Sequence, residues 1–178
     1  MLHDPLENSK TVFHGLRFDV RALDVETASG KTFKKQYIAH PGAVVILPLF
    51  DNGDVLLIRN QRFAVGQRLL ELPAGTKEKG EEAATTAARE LEEETGYTAK
   101  KLTLLTSFFT SPGITNENMD AYLAQGLIKT AQKLDESEEI EVEIHPLQKA
   151  LEMVRTGEIK DGKSINALLF YQAFYLRL

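Results

Sequence analysis

GTKEKGEEAATTAARELEEETGY, residues Gly75–Tyr97, is the stretch on which the reading of this chain turns. Its second half is the clearest helix in the sequence. Between Glu82 and Thr95, the residues Ala84, Ala87, Ala88 and Leu91 recur at i, i+3, i+4 and i+7, and Gly96 stands just past the end, where a glycine closes a helix. Glu90, Glu93 and Glu94 fall at i, i+3 and i+4, so their carboxylates share one helical face. Like charges at that spacing repel. Taken alone they read as solvated surface; gathered around a counter-charge they suit a hard divalent cation, Mg²⁺ or Mn²⁺.

Around this helix the pattern is that of strands. Thr11–Val20 alternates in part, Thr32–Ala39 reads as a second strand, and Gly42–Phe50 is an unbroken apolar run of the kind buried on both faces of a sheet. Asp51-Asn52-Gly53-Asp54 carries the Asn-Gly signal of a hairpin returning through Val55–Arg59. Leu102–Phe109, Met119–Leu127 and Ile140–Ile144 read as strands, polar Thr130–Glu139 as a loop, and Leu147–Val154 and Ile165–Leu176 as helices. The expected fold class is α/β: a mixed sheet between helices.

The bulk properties narrow the function. A chain of 178 residues with 43% hydrophobic and 26% charged content is ordinary globular material. A net charge of −5 lacks the basic footprint of a nucleic-acid binder, so an anionic substrate needs local cations. Without cysteine there is no thiolate nucleophile, disulfide or zinc–thiolate site. No apolar run approaches the ~20 residues of a membrane span, and Met1–Lys10 has no apolar segment of the signal-peptide kind, so a cytoplasmic location is the default expectation. His3, His14, His40 and His145 are scattered, show no ligand spacing and receive no role.

Gly75, five residues, Glu81, seven residues, then Arg89-Glu90-Leu91-Glu92-Glu93-Glu94-Thr95-Gly96-Tyr97 resembles the signature of the Nudix hydrolases at every fixed position but the last, where Tyr97 replaces an aliphatic residue. The resemblance implies a Nudix-type α/β/α sandwich. It makes Glu90 and Glu94 the principal metal ligands and Glu93 a further ligand or orienting carboxylate. Arg89 pairs with the glutamates, Glu81 fixes the loop, and the Ala74 carbonyl completes the metal shell. Mg²⁺ is the expected cofactor, with Mn²⁺ possible.

Features outside the motif bear on the substrate. Ser111-Pro112-Gly113 and Glu117 resemble the ADP-ribose and nucleotide-sugar pyrophosphatase branch, as does the acidic run Glu136–Val142, where a loop glutamate binds metal or activates water. Glu138 is first choice for that role and Glu136 second. Asp161-Gly162-Lys163 resembles the nucleotide-sugar hydrolases, with Asp161 accepting from sugar hydroxyls and Lys163 pairing with a phosphate, although Asp161 equally suits helix initiation. Arg62 and Glu71 match positions near the substrate, and Arg62 suits a diphosphate. Tyr37 is a candidate to stack on a base. By the same resemblance, residues 1–40 form dimerising strands and 41–178 the Nudix hydrolase domain. The expected substrate is a small nucleoside diphosphate sugar, with ADP-ribose as the alternative. A Nudix-fold binding module without activity comes third.

Overall fold

The computed structural model describes residues 8–16, 18–134 and 138–176. In chain order the elements are β1 (Lys10–His14), β2 (Asp19–Glu26), β3 (Thr32–Ala39), β4 (Ala43–Leu49), β5 (Asp54–Arg62), β6 (Gln67–Glu71), β7 (Ala74–Thr76), α1 (Ala83–Thr95), β8 (Tyr97–Phe109), β9 (Asn118–Lys129), β10 (Ile140–Pro146), α2 (Leu147–Thr156) and α3 (Gly162–Phe174). β1–β3 make an antiparallel sheet of their own. The main sheet runs β10-β5-β4-β9-β8, and its β4–β9 pair is parallel among antiparallel neighbours, so it is mixed. Among the described residues no helix is long and apolar enough to cross a membrane.

β4 explains the layering. Its side chains alternate between faces. Val44 and Ile46 pack with Ala87 and Leu91 of α1, whereas Val45 and Leu47 pack with Ala150 of α2 and Leu168 of α3. One helix lies on one face and two on the other, so every β4 side chain except Leu49 is buried, as its continuous apolar run requires. This is the expected α/β/α sandwich.

Three features depart from the sequence reading. Thr11–Val20 is two strands: the chain reverses at Gly15, where a Cβ would lie 2.5 Å from the Phe18 carbonyl oxygen, and the alternation carries on across the turn and conceals it. The hairpin at Asn52-Gly53 forms, but β4 and β5 pair only at Leu49 and Val55 and then splay apart. Into the gap goes the segment Gln67–Thr76, whose β6 pairs with β5 and whose β7 pairs with β4. These short strands, broken by Pro73, carry no periodic signal, yet they bring Ala74 and Gly75 to the middle of the sheet beneath α1. Finally, the buried stripe of α1 includes Ala87 and Leu91, but Ala84 and Ala88 are exposed, and Thr86, Glu94 and Thr95 are buried instead.

Candidate active site

The α1 wall is built around one arginine. The Arg89 guanidinium donates to Glu81 through Nε (3.1 Å) and Nη2 (3.2 Å), and through Nη1 to Glu90 (2.8 Å) and Glu93 (2.9 Å). Its hydrogen bonds hold the Glu81 carboxyl down to about 2. A backbone bond from Glu78 N–H to Glu81 fastens the loop before the helix. Glu94 is placed differently. It is only 4% exposed, and burial pushes its carboxyl up to about 8, against the pull of the Ala74 N–H that donates to Oε2 at 2.8 Å. Burial also raises Glu90, with Arg89 opposing it. The carboxylate of Glu138, on the loop before β10, is near enough to raise both. Glu136 lies outside the described residues.

Two details tie this wall to the sheet. A Cβ on Gly75 would sit 1.8 Å from the Glu90 carboxyl carbon, so the first residue of the motif is glycine for want of space. The Ile46 N–H donates to the Pro73 carbonyl, which makes 46 and 73 a hydrogen-bonded pair and, by alternation, Val45 and Ala74 a non-bonded one. The Ala74 carbonyl therefore shares the direction of its N–H, toward Glu94.

Among the described residues no three acidic or imidazole groups converge as a ligand set, and Arg89 holds Glu90 and Glu93. The donors nevertheless fit a hard divalent cation: carboxylate oxygens beside an outward backbone carbonyl, with a buried carboxylate whose charge a cation would offset. Tyr97 packs edge-on against Phe50, centroids 5.5 Å apart.

A cleft of about 610 Å³, lined on the α1 side by Ala74, Gly75 and Thr76, has a second wall. Glu71, fully buried, accepts Nε (2.8 Å) and Nη2 (2.6 Å) of Arg62 and Nζ of Lys163. Lys163 also pairs with Asp161 at 2.9 Å. Asp161 caps α3, accepting from the Ser164 N–H, and the buried Ser164 hydroxyl in turn receives the Leu72 N–H. Arg62, Asp161 and Lys163 line the cleft, whereas Glu71 reaches it only through its two cations. Helix initiation is thus an observed part of what Asp161 does.

The third side is the β8–β9 connection. Glu117 lines the cleft and accepts from the Thr110 hydroxyl at 2.5 Å. Its loop is tied to the end of β3, where Ile38 N–H donates to the Ile114 carbonyl and Asn116 N–H to the Ile38 carbonyl. Tyr37 lies outside the main cleft. It lines a neighbouring hollow with Pro112 and Asn116, and its hydroxyl meets Ser9 at 3.1 Å. His40 and Thr110, both against Glu117, are cleft neighbours that the sequence does not signal.

The model of the NUDIX domain matches residues 39–168, most of the chain. The chain belongs to the Nudix hydrolases. It is 42% identical to an ADP-ribose pyrophosphatase of Bacillus subtilis over 90% of this chain and 88% of that one. It is 30% identical to a GDP-mannose pyrophosphatase of Escherichia coli, covering 96% and 93%. Its fold superposes on the crystal structure of an ADP compounds hydrolase with a TM-score of 0.83 at 25% identity, covering 94% and 91%. Nudix hydrolases as a class work with divalent metals, in keeping with the donor set beside Ala74.

Proposed function

We propose that this Nudix hydrolase cleaves the diphosphate of ADP-ribose with water, giving AMP and ribose 5-phosphate, with Mg²⁺ as cofactor. The observation that carries the reading is a cleft with Arg62 and Lys163 on one side and, on the other, Ala74 and Gly75, against which the Glu94 and Glu90 carboxylates of α1 rest. A diphosphate needs both, one through metal and one directly. The 42% identity to an ADP-ribose pyrophosphatase puts that substrate ahead of the nucleoside diphosphate sugars favoured on sequence alone.

Glu90, Glu94 and the Ala74 carbonyl would hold the cation, which supplies charge neutralisation and Lewis acidity when bound. Glu71 consumes the Nε–Nη2 edge of Arg62, so the guanidinium meets a phosphate by its outer edge, beside Lys163. Glu138, exposed on its loop and near enough to act on the charges of Glu90 and Glu94, takes the proton of the attacking water. Glu93, turned to Arg89, orients the acidic face.

Asp161 and Lys163 on the cleft, together with the similarity to a GDP-mannose pyrophosphatase, favour nucleoside diphosphate hexoses as the second reading. Values of kcat/KM for ADP-ribose, GDP-mannose and UDP-glucose with Mg²⁺ decide between them. A tenfold or larger preference for ADP-ribose is expected; a preference for a hexose reverses the order, and no hydrolysis of any sinks both.

Residues 1–40 are proposed to form a homodimer. Val12, Phe13 and Phe33 of the separate sheet, with Phe18 in its β1–β2 turn, are exposed apolar residues that a second copy would cover. Light scattering reporting a monomer would remove that assignment.

A further inference from the structure

We infer that His40 is a positioning residue, which holds the Glu117 carboxylate toward the cleft as the acceptor for hydrogen-bond donors on the substrate's sugar or base. This rests on the hydrolase reading above and adds to it the device that recognises the part of the substrate without phosphate.

The tautomer of His40 is fixed by the backbone. The Gly42 N–H donates to Nδ1 at 3.1 Å, so the single proton of the neutral ring lies on Nε2. Nε2 faces Glu117 Oε1 at 3.6 Å, an electrostatic contact rather than a formed hydrogen bond. The other oxygen, Oε2, accepts from Thr110. The carboxylate is thus hydrogen-bonded on one oxygen, by Thr110 just after β8, and faces the His40 ring of the β3–β4 link with the other. The frame is equally tied: the His40 N–H donates to Asn116 Oδ1 at 2.8 Å, and the Glu117 N–H to the Thr115 hydroxyl at 3.1 Å. Both side chains are mostly covered, at 18% and 23% exposure, so neither swings freely in solvent.

What such a carboxylate can face follows from charge. Phosphate oxygens are repelled by it and go to Arg62 and Lys163. The groups left to meet Glu117 are donors, the hydroxyls of a ribose or the amino group of a base. A carboxylate aimed to within hydrogen-bond tolerance discriminates among these, and one left loose does not.

The two ring nitrogens can be separated by substitution. Asparagine keeps an acceptor at the Nδ1 position for Gly42 and loses the Nε2 donor; glutamine keeps a donor near Nε2 and loses the Gly42 acceptor. With ADP-ribose and saturating Mg²⁺, His40→Asn is expected to raise KM about 3–10-fold, the scale of one misplaced hydrogen bond, with kcat nearly unchanged. His40→Gln recovers most of that loss. In a Glu117→Gln background, His40→Asn adds nothing further, as residues acting through one another require. Inhibition by inorganic pyrophosphate, which has no sugar or base, is unchanged. His40→Ala, removing both nitrogens, replaces the asparagine variant if that one does not fold.

An additive rise of KM in the Glu117→Gln background overturns the inference, as does weakened pyrophosphate inhibition in parallel with KM. A loss in His40→Gln that His40→Asn lacks does the same, because it would make the Gly42 bond the whole role. An active wild type whose KM ignores His40 overturns this inference alone; a wild type inert toward ADP-ribose and nucleoside diphosphate sugars overturns the functional reading and this with it.

Discussion

The two walls of the cleft are charged by different means. The α1 wall gathers four carboxylates, of which Glu81, Glu90 and Glu93 are bonded to Arg89 and Glu94 to the Ala74 N–H, and the arginine and all four glutamates lie within a single loop and helix. The facing wall balances Arg62 and Lys163 against Glu71 and Asp161, and joins residues up to 92 positions apart. The first has a surplus of negative charge that calls for a cation. The second is internally neutralised and works by orientation: the buried Glu71 fixes two cationic side chains at the cleft. Chemistry belongs to the first wall, substrate placement to the second.

The largest expected effect breaks the first wall. Glu94→Gln should lower kcat about 10²–10³-fold, the scale of losing a principal electrostatic contact in the transition state, while circular dichroism shows an intact fold. Turnover near that of the parent protein would remove α1 from the chemistry and collapse the contrast between the walls.

Glu71→Gln strikes the second wall and should do the reverse. Removing the charge from a fully buried partner of two cations costs about 3 kcal/mol of stability by denaturant unfolding, and KM rises more than kcat falls. A selective loss of kcat would place Glu71 with the reacting groups instead. Gly75→Ala tests the joint between the sheet and the α1 wall. The added methyl displaces Glu90, so activity should fall roughly 10–100-fold, as when a supporting group around a metal is lost, for a stability cost of about 1–3 kcal/mol from overpacking. Full activity would mean that the Glu90 position is not critical.

The smallest effect is a pH dependence of the metal-free protein. The Glu94 carboxyl is raised from its usual 4.5 to about 8, so its contribution to stability is complete below 4.5 and is lost as pH rises toward 8. In EDTA the melting temperature should therefore decline by a few degrees across that window. The slope should flatten in Glu94→Gln and shrink with Mg²⁺. A slope that Glu94→Gln leaves unaltered would show that burial of this carboxylate is not what costs the metal-free state stability.

Most of the architecture was legible because it repeats at short range. The β4 run, the Asn52-Gly53 turn, the α1 helix with its αL Gly96 and the two terminal helices carry periodic or turn signals of their own. The errors fall where such signals fail. The reversal at Gly15 preserves the alternation, and β6 and β7 are too short to show a period. The apolar spacing of α1 includes Ala84 and Ala88, but only Ala87 and Leu91 meet Val44 and Ile46 of the sheet, and the spacing alone does not say where the sheet lies.

By itself, then, the sequence determined the acidic helix and the mixed sheet that buries it, because spacings of three and four residues settle which side chains share a helical face wherever the helix lies. Only the tertiary structure decided that β4 and β5 part to admit Gln67–Thr76, that Glu71 is buried between Arg62 and Lys163, and that His40 stands against Glu117. Those contacts join segments far apart in the chain. No local propensity encodes such proximity; it is set by where the sheet opens and what then fills the gap.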